Sequence, residues 1–110
     1  MEEWGSWRPM PSPEDCREIT GPKGPGVYQV RNKETEEFIM FGISISCLDR
    51  MKSLYPLPYG VGYRETDDKR QFILENWMHL EYRSMETKNR VEAAFVEKDL
   101  QTLNNHLFNK

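Results

Sequence analysis

Gly26-Val27-Tyr28-Gln29-Val30 is followed, after the polar residues Asn32 to Glu37, by Phe38-Ile39-Met40-Phe41-Gly42-Ile43. The first run opens after Gly24-Pro25-Gly26 and is rich in β-branched and aromatic residues. The second is of the same type. Two such runs joined by a polar connection predict an antiparallel hairpin. The second run is apolar at successive positions, so its strand is expected to be buried on both faces.

Beyond the hairpin, Ser46 offers a helix N-cap with Asp49 three residues on, and Leu48, Met51 and Leu54 repeat at helical spacing. The helix is expected to end near Tyr55-Pro56. Residues 55–63 contain Pro56, Pro58, Gly60 and Gly62 among Tyr55, Tyr59 and Tyr63, which reads as a loop. Thr66-Asp67-Asp68 predicts the start of a helix running to about Glu75, its acids favoured by the helix dipole. Trp77 to Arg83 alternates, with Met78, Leu80 and Tyr82 on one side, and predicts a third strand. Ser84 and Thr87 are candidate caps for a last helix over about 88–100, which Asn104 and Asn105 would close. The predicted order is β-β-α-α-β-α. The fold class is α+β, a small three-stranded antiparallel sheet flanked by helices.

Residues 1–24 form a Pro/Gly-rich arm ahead of a domain over 25–110. Its prolines resist helix and central strand, and Trp4 and Trp7 are expected to dock it on the domain. A chain of 110 residues supports one core that buries about two thirds of its open-chain surface. Three tryptophans, five tyrosines and five phenylalanines argue against global disorder. No apolar run approaches the roughly 20 residues of a membrane span, and Met1-Glu2-Glu3-Trp4 is not a signal peptide. Cys16 and Cys47 are too few for a disulfide framework or a four-ligand zinc site. A cytoplasmic location is expected. The net charge of −3 lacks the basic excess of a protein that holds nucleic acid mainly by phosphate neutralisation.

The last predicted helix carries one conspicuous carboxylate. Glu92 has the apolar Phe95 and Val96 one turn along, so it is expected on or at the edge of the core-facing stripe. A snorkelling or salt-bridged glutamate and a metal ligand both fit that position.

The spacing of these residues resembles the GIY-YIG nuclease family. Pro25-Gly26-Val27-Tyr28-Gln29-Val30 is similar to its first strand, and Gly42 to the glycine of its second motif. Arg50, eight residues after Gly42, is similar to its helix arginine. Glu92 and Asn104, twelve residues apart, are similar to its metal-binding glutamate and C-terminal asparagine. The resemblance covers residues 25 to about 105. The chain departs from the family where the second motif begins with tyrosine, since Met40 stands there, and where a histidine or tyrosine often follows the arginine by four, since Leu54 stands there.

The resemblance implies a metal-dependent DNA endonuclease that hydrolyses phosphodiester bonds. Tyr28, Arg50 and Glu92 would be catalytic, with Glu92 the ligand of Mg²⁺ or Mn²⁺. Lys52, Arg64 and Asn104 would contact the substrate. Arg50 offers a planar donor fork for phosphate, Glu92 one carboxylate for a hard ion that keeps its waters, and Tyr28 a phenol to orient the nucleophilic water. Tyr28 as an ordinary strand aromatic, Arg50 as a surface arginine paired with Asp49 or Glu37, and Asn104 as a helix cap are the plainer alternatives. Tyr55, Tyr59 and Tyr63 beside Lys52 and Arg64 would either stack on bases or pack within their loop. His79 is expected to be structural or exposed, and His106, near the terminus, has no assigned role. The implied partner is DNA, with a protein partner supplying target choice. The alternative function is an inactive module of the same type that binds nucleic acid or a protein.

Overall fold

The structure is a computed structural model that describes residues 4–55 and 68–108. Its elements in chain order are β1 (Arg8–Pro9), a 3-10 segment (Pro13–Glu18), β2 (Gly26–Asn32), β3 (Phe38–Ser44), α1 (Cys47–Lys52), α2 (Asp68–Asn76), a 3-10 turn (Trp77–His79), β4 (Leu80–Glu86) and α3 (Arg90–Leu103). The α+β class and the β-β-α-α-β-α order of the domain hold. The sheet is a correction: it has four strands, in the order β1-β4-β2-β3, and every pairing is antiparallel.

The additional strand comes from the proline-rich arm. Arg8 and Pro9 pair with Tyr82 and Glu81 at the sheet's edge, where a residue without N–H is tolerated. Pro13 then sits in the first turn of a 3-10 segment, a position where no donor is needed. Met10, Cys16 and Ile19 are buried, so the arm belongs to the core.

The hairpin forms as its residues predict. Asn32 Oδ1 accepts from the N–H groups of Glu34 and Thr35 at 2.8 and 3.0 Å, which folds the polar connection into an Asx-type turn. The register shifts between Val30 and Arg31, where Val30 faces Met40 and Arg31 faces Phe38. Ile39 is the extra residue of this bulge. Alternation breaks there, and both Ile39 and Met40 join one core cluster.

The two faces of the sheet are covered differently. One face packs Tyr28, Val30, Met40, Leu80 and Tyr82 against Cys47, Met51 and Leu54 from α1 and the turn after it, Ile73 of α2 and the arm. The other packs Val27, Phe41 and Met85 against Ala93 and Leu100 of α3. The third predicted strand begins later than expected, at Leu80, because Trp77–His79 form a 3-10 turn continuing from α2. Leu80 and Tyr82 do share the buried side, as their spacing predicts.

Candidate functional site

Tyr28 and Gly42 face each other across β2 and β3. The Tyr28 ring lies over the glycine: a Cβ on residue 42 would sit 2.5 to 2.7 Å from Cε2, Oη and Cζ. The Gly-Val-Tyr to Met-Phe-Gly spacing therefore has a packing cause, since only a glycine leaves room for the ring. Tyr28 is 1% exposed, and Met40, where a second tyrosine is expected from the resemblance, is 0% exposed.

The helix α1 starts three residues after β3 and sets its inward side with Cys47 and Met51. Burial pushes the Cys47 thiol up to about 11, so it is an inert core group. Arg50 faces solvent and Lys52 is half-buried. Neither side chain has a hydrogen bond or ion pair among the described residues, so the guanidinium of Arg50 is not committed to Asp49 or Glu37.

Glu92 is half-buried and sits at the third position of α3, where it completes a reciprocal cap. Its N–H donates to Asn89 Oδ1 at 2.9 Å, and its Oε1 accepts from the N–H of Lys88 at 3.3 Å. Asn89 is thus the N-cap. The expected caps serve elsewhere: Ser84 lies within β4, and the Thr87 hydroxyl donates to the carbonyl of Asn89 at 3.0 Å. The inward stripe of α3 is Ala93, Val96 and Leu100, whereas Phe95 is 68% exposed, against the expectation that it shares the core face with Val96.

At 100° per residue, Glu92 and Glu97 fall on opposite flanks of that stripe. Glu97 is also half-buried, and it has no hydrogen bond or ion pair among the described residues. Sequence reasoning missed it. Its spacing, four after Ala93 and three before Leu100, is the signal once the stripe is known.

Other candidates separate. Asn104 is exposed and closes α3 in the left-handed conformation, φ 50°, its N–H donating to Gln101. Arg64, Tyr59 and Tyr63 lie outside the described residues. Tyr55 is not a stacking platform: it is 0% exposed, its hydroxyl donates to the carbonyl of Pro11 at 2.6 Å, and burial raises its pKa. His79 is exposed beside Glu34 at 3.0 Å. His106 is 7% exposed, which its position near the terminus did not suggest.

The fold therefore brings Tyr28, Gly42, Met40 and the helix bearing Arg50 to one side of the sheet, while α3 with Glu92 and Glu97 packs its buried side chains in the other cluster. Among the described residues no three His, Cys, Asp or Glu side chains gather as a metal site. One oxygen of Glu92 accepts from the Lys88 N–H, and the other has no hydrogen bond among the described residues. No family model, curated protein or solved structure matches the chain.

Proposed function

We propose that this chain is a GIY-YIG-type module that acts on DNA by metal-dependent hydrolysis of a phosphodiester bond. The observation that carries the reading is the pairing of Tyr28 with Gly42 on adjacent strands, followed at once by the helix that bears Arg50. Arg50 is exposed and has no partner among the described residues, which suits a group that must receive a phosphate. Lys52, Arg64 and Asn104 add substrate contacts in this proposal, and the resemblance gives Tyr28 the attacking water, although its ring is buried against Gly42. Glu92 would hold Mg²⁺ or Mn²⁺ through its second oxygen, as the one protein carboxylate on the ion. When bound, the ion supplies charge stabilisation at the phosphoryl oxygens and a more acidic water. A cytoplasmic setting and a protein partner for target choice belong to the same proposal. No helix among the described residues is long and apolar enough to cross a membrane.

A second reading has its own observation. Met40 is fully buried where the family places a tyrosine, and a thioether transfers no proton. This favours a module that binds nucleic acid or a protein without cutting.

A cleavage assay separates the two. Supercoiled, single-stranded and branched DNA are incubated with Mg²⁺ or Mn²⁺ and the wild type, Arg50→Ala or Glu92→Gln. The nuclease reading expects metal-dependent nicking that falls ~100-fold or more in both variants. No nicking by the wild type on any substrate overturns it and leaves the binding module.

A further inference from the structure

The sheet face opposite Tyr28 carries a second set of polar side chains. Strand alternation puts Gln29 and Arg31 of β2 there, with Glu81 and Arg83 of β4 directly across. The register pairs Gln29 with Arg83 and Arg31 with Glu81. Arg31 donates to Glu81 and is neutralised by it. Arg83 has no such partner. Its Nε donates to Gln29 Oε1 at 2.8 Å, and no carboxylate contacts it among the described residues.

The arm lays two indoles against these arginines. Trp7 lies 4.1 Å from the Arg31 guanidinium carbon and 4.6 Å from that of Arg83, and Trp4 lies 4.3 Å from Arg83. The four groups alternate as Arg31, Trp7, Arg83 and Trp4. Both tryptophans and Arg83 are only half-buried. The terminal nitrogens of Arg83 have no acceptor among the described residues, yet they are not among the buried atoms without a partner. They are therefore not fully buried, on a half-buried guanidinium whose orientation the Gln29 bond and the indoles hold.

That is the arrangement of a preformed oxyanion fork. A guanidinium recognises two oxygens of one phosphate in its own plane, and Trp4, the half-buried indole at the end of the row, offers a stacking surface for a base. Burial and the neighbouring Arg31 both lower the pKa of Arg83, as expected of a cation placed without a counter-charge. An incoming anion would relieve that repulsion.

We propose that Arg83, oriented by Gln29 and flanked by Trp4 and Trp7, binds a backbone phosphate of single-stranded DNA whose adjacent base stacks on an indole. The inference rests on the DNA-directed reading above, but it concerns the opposite face of the sheet and needs no metal ion.

The test is binding of a fluorescein-labelled oligothymidylate by anisotropy, at low salt and in EDTA. The proteins are the full chain, Arg83→Gln, Arg83→Lys and Arg17→Ala. The proposal expects Arg83→Gln to bind about tenfold more weakly, and Arg83→Lys to weaken by several-fold because it keeps the charge but not the fork. Arg17→Ala, which removes an exposed cation from the 3-10 segment packed on the other face, should stay within about twofold of wild type. Inorganic phosphate and an abasic oligonucleotide, added as competitors, separate a bare anion site from a nucleotide site: only competition that improves with bases supports the proposal. Arg83→Lys keeps a cation against the indoles, so it remains informative if Arg83→Gln does not fold. Equal binding by wild type and Arg83→Lys overturns the proposal, as does the absence of binding by wild type. Cleavage without Arg83-dependent binding sinks this inference alone, while Arg83-dependent binding without cleavage sinks only the hydrolytic reading.

Discussion

His106 shows how one side chain can be fixed by its neighbours. Arg83 can only donate, so it orients the Gln29 amide with Oε1 toward itself. Gln29 Nε2 then donates to His106 Nε2 at 2.9 Å, which leaves the ring proton on Nδ1. Nδ1 is buried without a partner, and the ring stacks on Phe38 and meets Phe41 edge-on, with centroids 5.0 and 4.7 Å away. Burial lowers its pKa to about 4. The unfolded chain, near 6.5, takes up a proton first as pH falls. The stabilisation is therefore fully present above about pH 6.5 and is lost on the way down to about pH 4, by an amount on the order of 3 kcal/mol. Urea midpoints of wild type and His106→Gln should converge over that interval, because the carboxylates titrate in both. Parallel curves would show that this histidine does not carry the effect. Gly42 is the other decisive single position. Gly42→Ala drives a methyl into the buried Tyr28 ring, and a loss of about 1–3 kcal/mol, read by urea unfolding, is expected.

The start of α3 depends on Asn89, to which the sequence reading gave no role, and on Glu92, to which it gave a metal. Asn89→Ala removes the acceptor of the Glu92 N–H and should cost about 1 kcal/mol in a denaturant melt. Glu92→Gln keeps an oxygen for the Lys88 N–H while removing the charge, so it should change stability by less than about 0.5 kcal/mol. The pair separates capping from catalysis: a stable Glu92→Gln that no longer cuts points to the carboxylate's charge, and a destabilised one points to the cap. The same logic explains why β4 begins at Leu80. Trp77, Met78 and His79 alternate as a strand would, but α2 runs into a 3-10 turn there, and only from Leu80 onward does β2 offer a ladder of partners. Alternation reports which side a residue faces, not where hydrogen bonding begins.

Both edges of the sheet are dressed by the chain's ends. Beyond α3 the backbone returns to β3, with Leu107 N–H donating to Phe38 O at 3.1 Å and Phe108 N–H to Ile39 O at 2.7 Å. Phe108 also packs edge-on against Phe72, centroids 5.6 Å apart. On the far side, the arm covers β4, and Pro9 leaves that outer edge short of a donor. A chain ending at Asn105 should lose roughly 3–5 kcal/mol through Phe108 and His106, and with β3 uncovered it should self-associate. Urea unfolding and light scattering after size exclusion check the two outcomes, and a stable monomer would show that the tail is dispensable.

Hairpin, helix order and chain class were legible because each rests on local signals: a polar turn between apolar runs, caps, and helical spacing. The Gly-Val-Tyr and Met-Phe-Gly motifs were legible as a spacing, though the pairing of Tyr28 with Gly42 and its reason, a ring filling the glycine's empty side, needed the register. The fourth strand was not legible, since Arg8-Pro9 has no strand propensity and pairs only because β4 presents an open edge. The buried stripe of α3 was misjudged at Phe95, and Glu97 was missed, because helical spacing defines a face but not which of two neighbouring faces meets the sheet. Nor could any local pattern show that His106, Gln29, Arg83 and two tryptophans meet. They lie far apart in the chain, and contacts between distant segments are chosen by packing and burial rather than by local propensity.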